Sequence, residues 1–190
     1  MEGKLEIGFA LDRRWHLLRG EMEQSKKPAL LLLCRALAES GVPYAIIGGV
    51  ALQIHQDEPR TTLDIDLALL DRASIPSAAL EALGFRQTGS FVHSVNWASP
   101  DGTPIQFTDD LARADAVRRA GALDLDGVRM RVIGKADLLR EKLRAGQDPA
   151  LRRSKRLQDL ADAQGLIEQE PALAAALTDE QRRLLERAGA

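Results

Sequence analysis

The sequence predicts an α/β core over residues 1–134, with an N-terminal helix, followed by a helical region over residues 135–190. Three observations predict this. Leu63, Ile65, Leu67 and Leu69 alternate with Asp64, Asp66 and Ala68, which is the period of a strand. The apolar run YAII is followed by Gly48-Gly49 and then by VALQIHQ, a strand, turn and helix in succession. From Lys135 onward the pattern turns helical, which makes a soft boundary near residue 134.

Taken in order, residues 1–25 are polar and give no clear period. Pro28 and Gly41 bracket a helix through LLLLCRALAES, because proline suits a first helical position and glycine an end. The strand YAII, the Gly-Gly turn and the helix VALQIHQ come next. Asp57-Glu58-Pro59 ends that helix, since proline lacks the donor needed to continue it. Leu63 to Leu70 forms the clearest strand, and residues 76–83 a helix. Phe91 to Trp97 and Thr103 to Thr108 form a hairpin across Ser99-Pro-Asp-Gly102. Val128 to Ile133 is another strand. Helices follow at about 135–145 and 150–168, and a last one starts near Thr178, where Thr178 and Gln181 make a capping box.

Composition narrows the function. Aromatic residues are 4% of the chain, too few for a stacking platform on single-stranded nucleic acid. The net charge of −2 argues against a polybasic binder, yet Arg113 to Arg156 holds 13 basic and 6 acidic residues. Such a segment either attracts an anion, nucleotide or RNA, or forms a solvated helix surface. The single cysteine, Cys34, sits in an apolar run and reads as a small buried hydrophobe. The run Ala29 to Ala38 is about half the length of a membrane span, and MEGKLEIG lacks a signal-peptide pattern. A cytoplasmic location without membrane contact is expected.

Asp64 and Asp66 are the sharpest chemical feature. Residues two apart on a strand point to one face, so two carboxylates lie side by side. Paired carboxylates suit Mg²⁺, which keeps several waters and binds substrate phosphates. The competing reading is an amphipathic strand with a solvated face. Gly48-Gly49 lies between strand and helix, where glycines permit a sharp turn and a close approach. The helix start beyond it offers open N–H groups, which suit phosphate.

The succession of Gly48-Gly49, Arg60-Thr61-Thr62 and Asp64-Ile65-Asp66 resembles the nucleotidyltransferase superfamily that includes polymerase beta. The stretch IIGGVALQIHQDEPRTTLDIDLAL is similar to its abortive-infection and toxin–antitoxin branch. The resemblance covers residues 44–70 well and extends loosely to 165. It implies a mixed β-sheet packed with helices. It implies that Gly48 and Gly49 hold the phosphates of an NTP such as ATP, and that Asp64 and Asp66 bind Mg²⁺. NMP transfer to an acceptor hydroxyl on RNA such as tRNA, a protein or a small molecule would follow, with a partner protein possible. Arg60 either touches a phosphate or anchors its loop.

The family's third carboxylate maps to the strand 103–108. There Gln106, a neutral amide, takes the expected position, because Ile105 and Phe107 point the other way. Gly49 also stands where relatives often carry serine. In the helical region Lys142 falls inside the stripe Leu138, Leu139, Leu143. It either snorkels outward or reaches into a cleft. The resemblance implies that Lys142 contacts the triphosphate and that Asp159, with Asp162 as alternate, assists the base or positions the nucleophile. Periodicity instead puts Asp159, Asp162 and Lys155 opposite the stripe Leu157, Leu160, Ala161, Gln164, Ile167, on a solvated face with Lys155–Asp159 pairing. Gln106 favours a second possibility, a degenerate protein that binds nucleotide or RNA without turnover. A protein-binding scaffold is a third. His16, His55 and His93 lack partners at zinc spacing. Trp15 and Trp97 read as core or interface anchors, and Arg152, Arg153, Lys155 and Arg156 as a solvated helix start.

Overall fold

The computed structural model describes residues 2–188 except Glu23 and Pro59. The chain forms two compact units, Met1–Ile54 with Glu58–Gly134, and His55–Asp57 with Lys135–Ala190.

The first unit is built on a seven-stranded sheet. Its strands are β1 (Tyr44–Ile46), β2 (Ile65–Leu69), β3 (Arg86–Ser90), β4 (Ser94–Ala98), β5 (Pro104–Thr108), β6 (Gly121–Leu125) and β7 (Val128–Val132). They lie in the order β3-β4-β5-β2-β1-β7-β6. The sheet is mixed. β2 runs parallel to β5 and antiparallel to β1, and β1 runs parallel to β7. Among the described residues five α-helices accompany it: α1 (Glu2–Leu18), α2 (Lys27–Glu39), α3 (Gly48–His55), α4 (Ser77–Ala82) and α5 (Ala114–Arg119). Leu30, Leu33 and Leu37 of α2 and Ile65, Leu67 and Leu69 of β2 are fully buried. Cys34 and Trp97 are buried as expected, whereas Trp15 is substantially exposed on α1.

Several elements depart from the sequence pattern. Residues 1–25 hold α1, whose buried side chains, Leu5, Phe9 and Asp12, recur at helical spacing. Exposed Ile7, Trp15, Leu17 and Leu18 scatter apolar residues around the rest of that helix and blur its period. The strand expected from Leu63 begins at Ile65, so Leu63 and Asp64 precede it. The strand expected from Phe91 begins at Ser94, and Phe91 and Val92 are exposed in the turn before it. β3 is entirely polar or glycine, as an exposed edge strand permits. The helix before Pro59 ends at His55, and Pro59 itself lies outside the described residues.

The second unit contains α6 (Lys135–Gln147), α7 (Arg153–Gln169), a 3₁₀ turn at Pro171–Ala176 and α8 (Asp179–Ala188). α6 and α7 approach closely at Gly146, where a Cβ would stand 2.5 Å from Leu160 Cδ2. The capping box forms at α8: Thr178 N–H donates to Gln181 Oε1 at 3.0 Å and Gln181 N–H to Thr178 Oγ1 at 3.2 Å. Among the described residues no helix is long and apolar enough to cross a membrane.

Candidate functional site

In the first unit β1 ends at Ile46 and the chain turns straight into α3 at Gly48. Gly48 has φ +62°, the left-handed region that disfavours any side chain. A Cβ there would lie 2.1 Å from Asp66 Oδ2, so the Asp66 carboxylate sits directly against the glycine backbone. A Cβ on Gly49 would lie 2.3 Å from Thr62 Oγ1. The Gly-Gly turn therefore packs against both the Asp66 side chain and the segment leading to Asp64. The first turn of α3 adds amide groups that have no partner within the helix.

Asp66 lies in β2, and its backbone carbonyl accepts from Ile47 N–H at 2.9 Å. Asp64 lies one residue before β2 and is exposed, because the strand starts later than the alternation implies. Thr62 Oγ1 donates to Asp64 Oδ1 at 2.7 Å. The two carboxylates are thus placed differently, one by the sheet and one by an irregular segment.

Register carries Gln106 to the side of Asp66: the two are partners in the parallel β2–β5 pair. Gln106 is in turn opposite Asn96 of β4, and its Nε2 donates to Asn96 Oδ1 at 3.4 Å. The row beside Asp66 is therefore two neutral amides. Among the described residues no three His, Cys, Asp or Glu side chains gather as a metal cluster. Two carboxylates still fit Mg²⁺, which takes one or two carboxylates and leaves other positions to water and phosphate.

Sequence reasoning missed the support behind this turn. Lys26, buried at the start of α2, donates to Thr62 O at 2.7 Å and pairs with Asp12 Oδ2 of α1 at 2.5 Å. Desolvation lowers the Lys26 pKa, and Asp12 and then Asp64 pull it back up. Gln53 of α3 donates to the carbonyl of Arg60 at 2.6 Å, so the Arg60 backbone is anchored. Asp12 and Lys26 were hidden because their partners are distant in the chain: Lys26 lies 14 residues beyond Asp12, and Thr62 lies 36 beyond Lys26. Asp12, Lys26, Leu63 and Thr103 line a cavity of about 210 Å³.

In the second unit Lys142, Asp159 and Asp162 come together. Lys142 Nζ lies 2.7 Å from Asp159 Oδ1 and 2.8 Å from Asp162 Oδ2. All three are buried, with Asp159 only 1% exposed. This corrects two expectations. Lys142 does not snorkel outward, because two carboxylates hold it inside. Asp159 and Asp162 do not lie on a solvated face: the buried side of α7 is Asp159, Leu160, Asp162, Ala163 and Leu166, and Leu157 is exposed. The Lys155–Asp159 pair does form, at 2.9 Å, onto the same Oδ1. Asp159 Oδ2 is left buried without a hydrogen-bond partner. Arg152 and Arg153 are exposed at the start of α7.

No protein-family model and no curated protein matches the sequence. Solved structures do. A nucleotidyltransferase-like protein from Paracoccidioides brasiliensis is similar with TM-score 0.50 and 21% identity, over 79% of this chain and 90% of its own. This chain has a nucleotidyltransferase-like fold. The antibiotic-resistance factor ANT(2'')-Ia gives TM-score 0.53 and 18% identity, over 85% of this chain and 89% of its own. The lincosamide adenylyltransferase LnuA gives 0.51 and 12%, over 74% and 97%. In this chain the nucleotidyltransferase-like fold carries the Gly-Gly turn, the Asp66 strand and the Gln106 strand in one mixed sheet.

Proposed function

We propose that the chain is a Mg²⁺-dependent nucleotidyltransferase that moves a nucleoside monophosphate from an NTP to an acceptor hydroxyl. One observation carries this: the Asp66 carboxylate rests on a left-handed Gly48 at the start of α3, with the Asp64 segment packed on Gly49. A triphosphate laid along the turn meets bare backbone and open amides, while its oxygens face the two carboxylates. Asp64 and Asp66 would hold Mg²⁺, which when bound neutralises charge on the phosphate oxygens. The acceptor oxygen bonds to the α-phosphorus as the bond from that phosphorus to the α–β bridging oxygen breaks; the hydroxyl proton passes to a base or to water, and pyrophosphate leaves.

Gln106 has no ionisable group and takes no proton. On this reading Asp159 assists the base and Lys142 contacts the triphosphate. Arg60 anchors its loop or touches a phosphate. The acceptor is RNA, a protein or a small molecule. The last is the class that the names of LnuA and ANT(2'')-Ia point to for those proteins, as antibiotics. A toxin-like role with a partner protein belongs to the same proposal.

Calorimetric titration of ATP, GTP, CTP and UTP with and without Mg²⁺ tests the site. Affinity should depend on Mg²⁺ and fall in Asp64→Asn and Asp66→Asn; equal affinity in both variants rejects the assignment. Transfer of α-labelled nucleotide to RNA, protein or small-molecule acceptors then reports turnover. Lys142→Gln with unchanged binding and transfer removes Lys142 from the reaction. A second reading is favoured by the Asp66–Gln106 register: a protein that binds nucleotide without transferring it. Mg²⁺-dependent binding with no label transfer to any acceptor would select it.

A further inference from the structure

Asp64 stands outside the sheet, on a segment between α3 and β2 with no regular structure. A carboxylate on such a segment is placed by whatever ties the segment down. Three ties are present. Gln53 holds the Arg60 carbonyl at 2.6 Å, Lys26 holds the Thr62 carbonyl at 2.7 Å, and the Thr62 hydroxyl holds Asp64 Oδ1 at 2.7 Å. Thr62 is also wedged against Gly49.

Lys26 reaches Thr62 from a side chain only 1% exposed, and its counter-charge Asp12 is 2% exposed. A buried ion pair is an inefficient way to stabilise a fold, because desolvation consumes most of the attraction. Asp12 Oδ1 adds to that cost, being buried without a hydrogen-bond partner. Outside the pair, Lys26 Nζ lies 5.6 Å from the centre of the Phe9 ring and donates to the Thr62 carbonyl, and it is the second contact that bears on the segment carrying Asp64. We infer that Asp12 and Lys26, acting through Thr62, are positioning residues that set the Asp64 carboxylate for divalent-cation binding beside the Gly-Gly turn. Asp64 and Asp66 are taken as the cation ligands proposed above, and the role of Lys26 rests on that assignment.

Partners that orient a metal ligand from behind change affinity by roughly 10- to 100-fold when lost. The experiment titrates Mn²⁺ alone into the full chain, by calorimetry or by loss of its free electron-resonance signal. Thr62→Val deletes the hydroxyl with little change of shape. The double variant Asp12→Asn/Lys26→Met removes both buried charges and so avoids stranding one. Each should weaken Mn²⁺ binding about tenfold or more, while thermal unfolding shows Thr62→Val folded like wild type. Thr62→Ser, which keeps the hydroxyl, should retain wild-type affinity. Wild-type Mn²⁺ affinity in both Thr62→Val and the double variant, with weak binding in Asp64→Asn, overturns the positioning role and leaves the cation site standing. Wild-type affinity in Asp64→Asn and Asp66→Asn overturns the cation site itself, and the positioning role with it.

Discussion

Each unit buries a lysine, and the two lysines are used differently. Lys142 ties helix to helix: its ammonium meets Asp159 and Asp162 of α7, and Asp159 also takes Lys155. Two carboxylates and two ammonium groups are linked there. Lys26 meets one carboxylate, Asp12, and spends its other hydrogen bond on a loop carbonyl, Thr62 O. From there the chain of contacts leads outward to Asp64. One lysine is an internal brace between regular elements. The other, together with Gln53 of α3, fastens an irregular segment that no strand ladder pairs.

The largest expected effect separates the two. Lys142→Met takes a shared ammonium from two buried carboxylates, of which Asp159 keeps Lys155, and should cost toward the upper end of about 3–5 kcal/mol. Lys26→Met strands one and should fall toward the lower end, with most of the loss recovered by Asp12→Asn. Urea midpoints measure both, and a smaller loss at Lys142 than at Lys26 would break the contrast.

Next comes the turn that Lys26 supports. Gly48 and Gly41 share a left-handed backbone, with φ +62° and +66°. Alanine at either should pay roughly 1–2 kcal/mol for the backbone alone. Nothing lies within 4 Å of a Cβ at Gly41, whereas one at Gly48 would meet Asp66 Oδ2. Gly48→Ala should therefore lose more stability than Gly41→Ala, and Mg²⁺-dependent nucleotide binding as well. Equal losses, with binding intact, would show that the Asp66 carboxylate is not held where it is found.

The smallest effect, read one pH unit above 9.0, contrasts burial with a counter-charge and burial without one. Burial pushes the Cys34 thiol up from 9.0 to about 12, with a Tyr44 hydrogen bond pulling the other way. Between those values the folded chain keeps a proton that the unfolded chain has released. Stability should then fall with rising pH by about 1.4 kcal/mol per unit from this group. It is fully present below pH 9.0 and lost toward about 12. Denaturation of wild type and Cys34→Ala across alkaline pH measures it. Parallel slopes would mean that the thiol ionises in the folded chain.

Local chemistry was enough for the Gly-Gly turn, the Asp66 strand, the hairpin turn at 99–102 and the Thr178 capping box. Each depends on residues within a few positions, whose backbone limits and spacing act before any packing. Strand parity was enough, too, to set Gln106 on the face opposite Ile105 and Phe107, but only the β2–β5 register brought it beside Asp66. Tertiary structure decided the rest. It started β2 at Ile65 and left Asp64 outside, because pairing partners for β2 begin at Ile105. It turned α7 so that two aspartates face inward, which apolar periodicity reads backwards because an ammonium on α6 was waiting for them. It also made a helix of residues 2–18, and so brought Asp12 to Lys26 and Lys26 to Thr62. Hydrophobic spacing records which way a side chain points when apolar contact is the only reward. A charge that finds its opposite in a distant element follows a different rule, and that rule is written only where the elements meet.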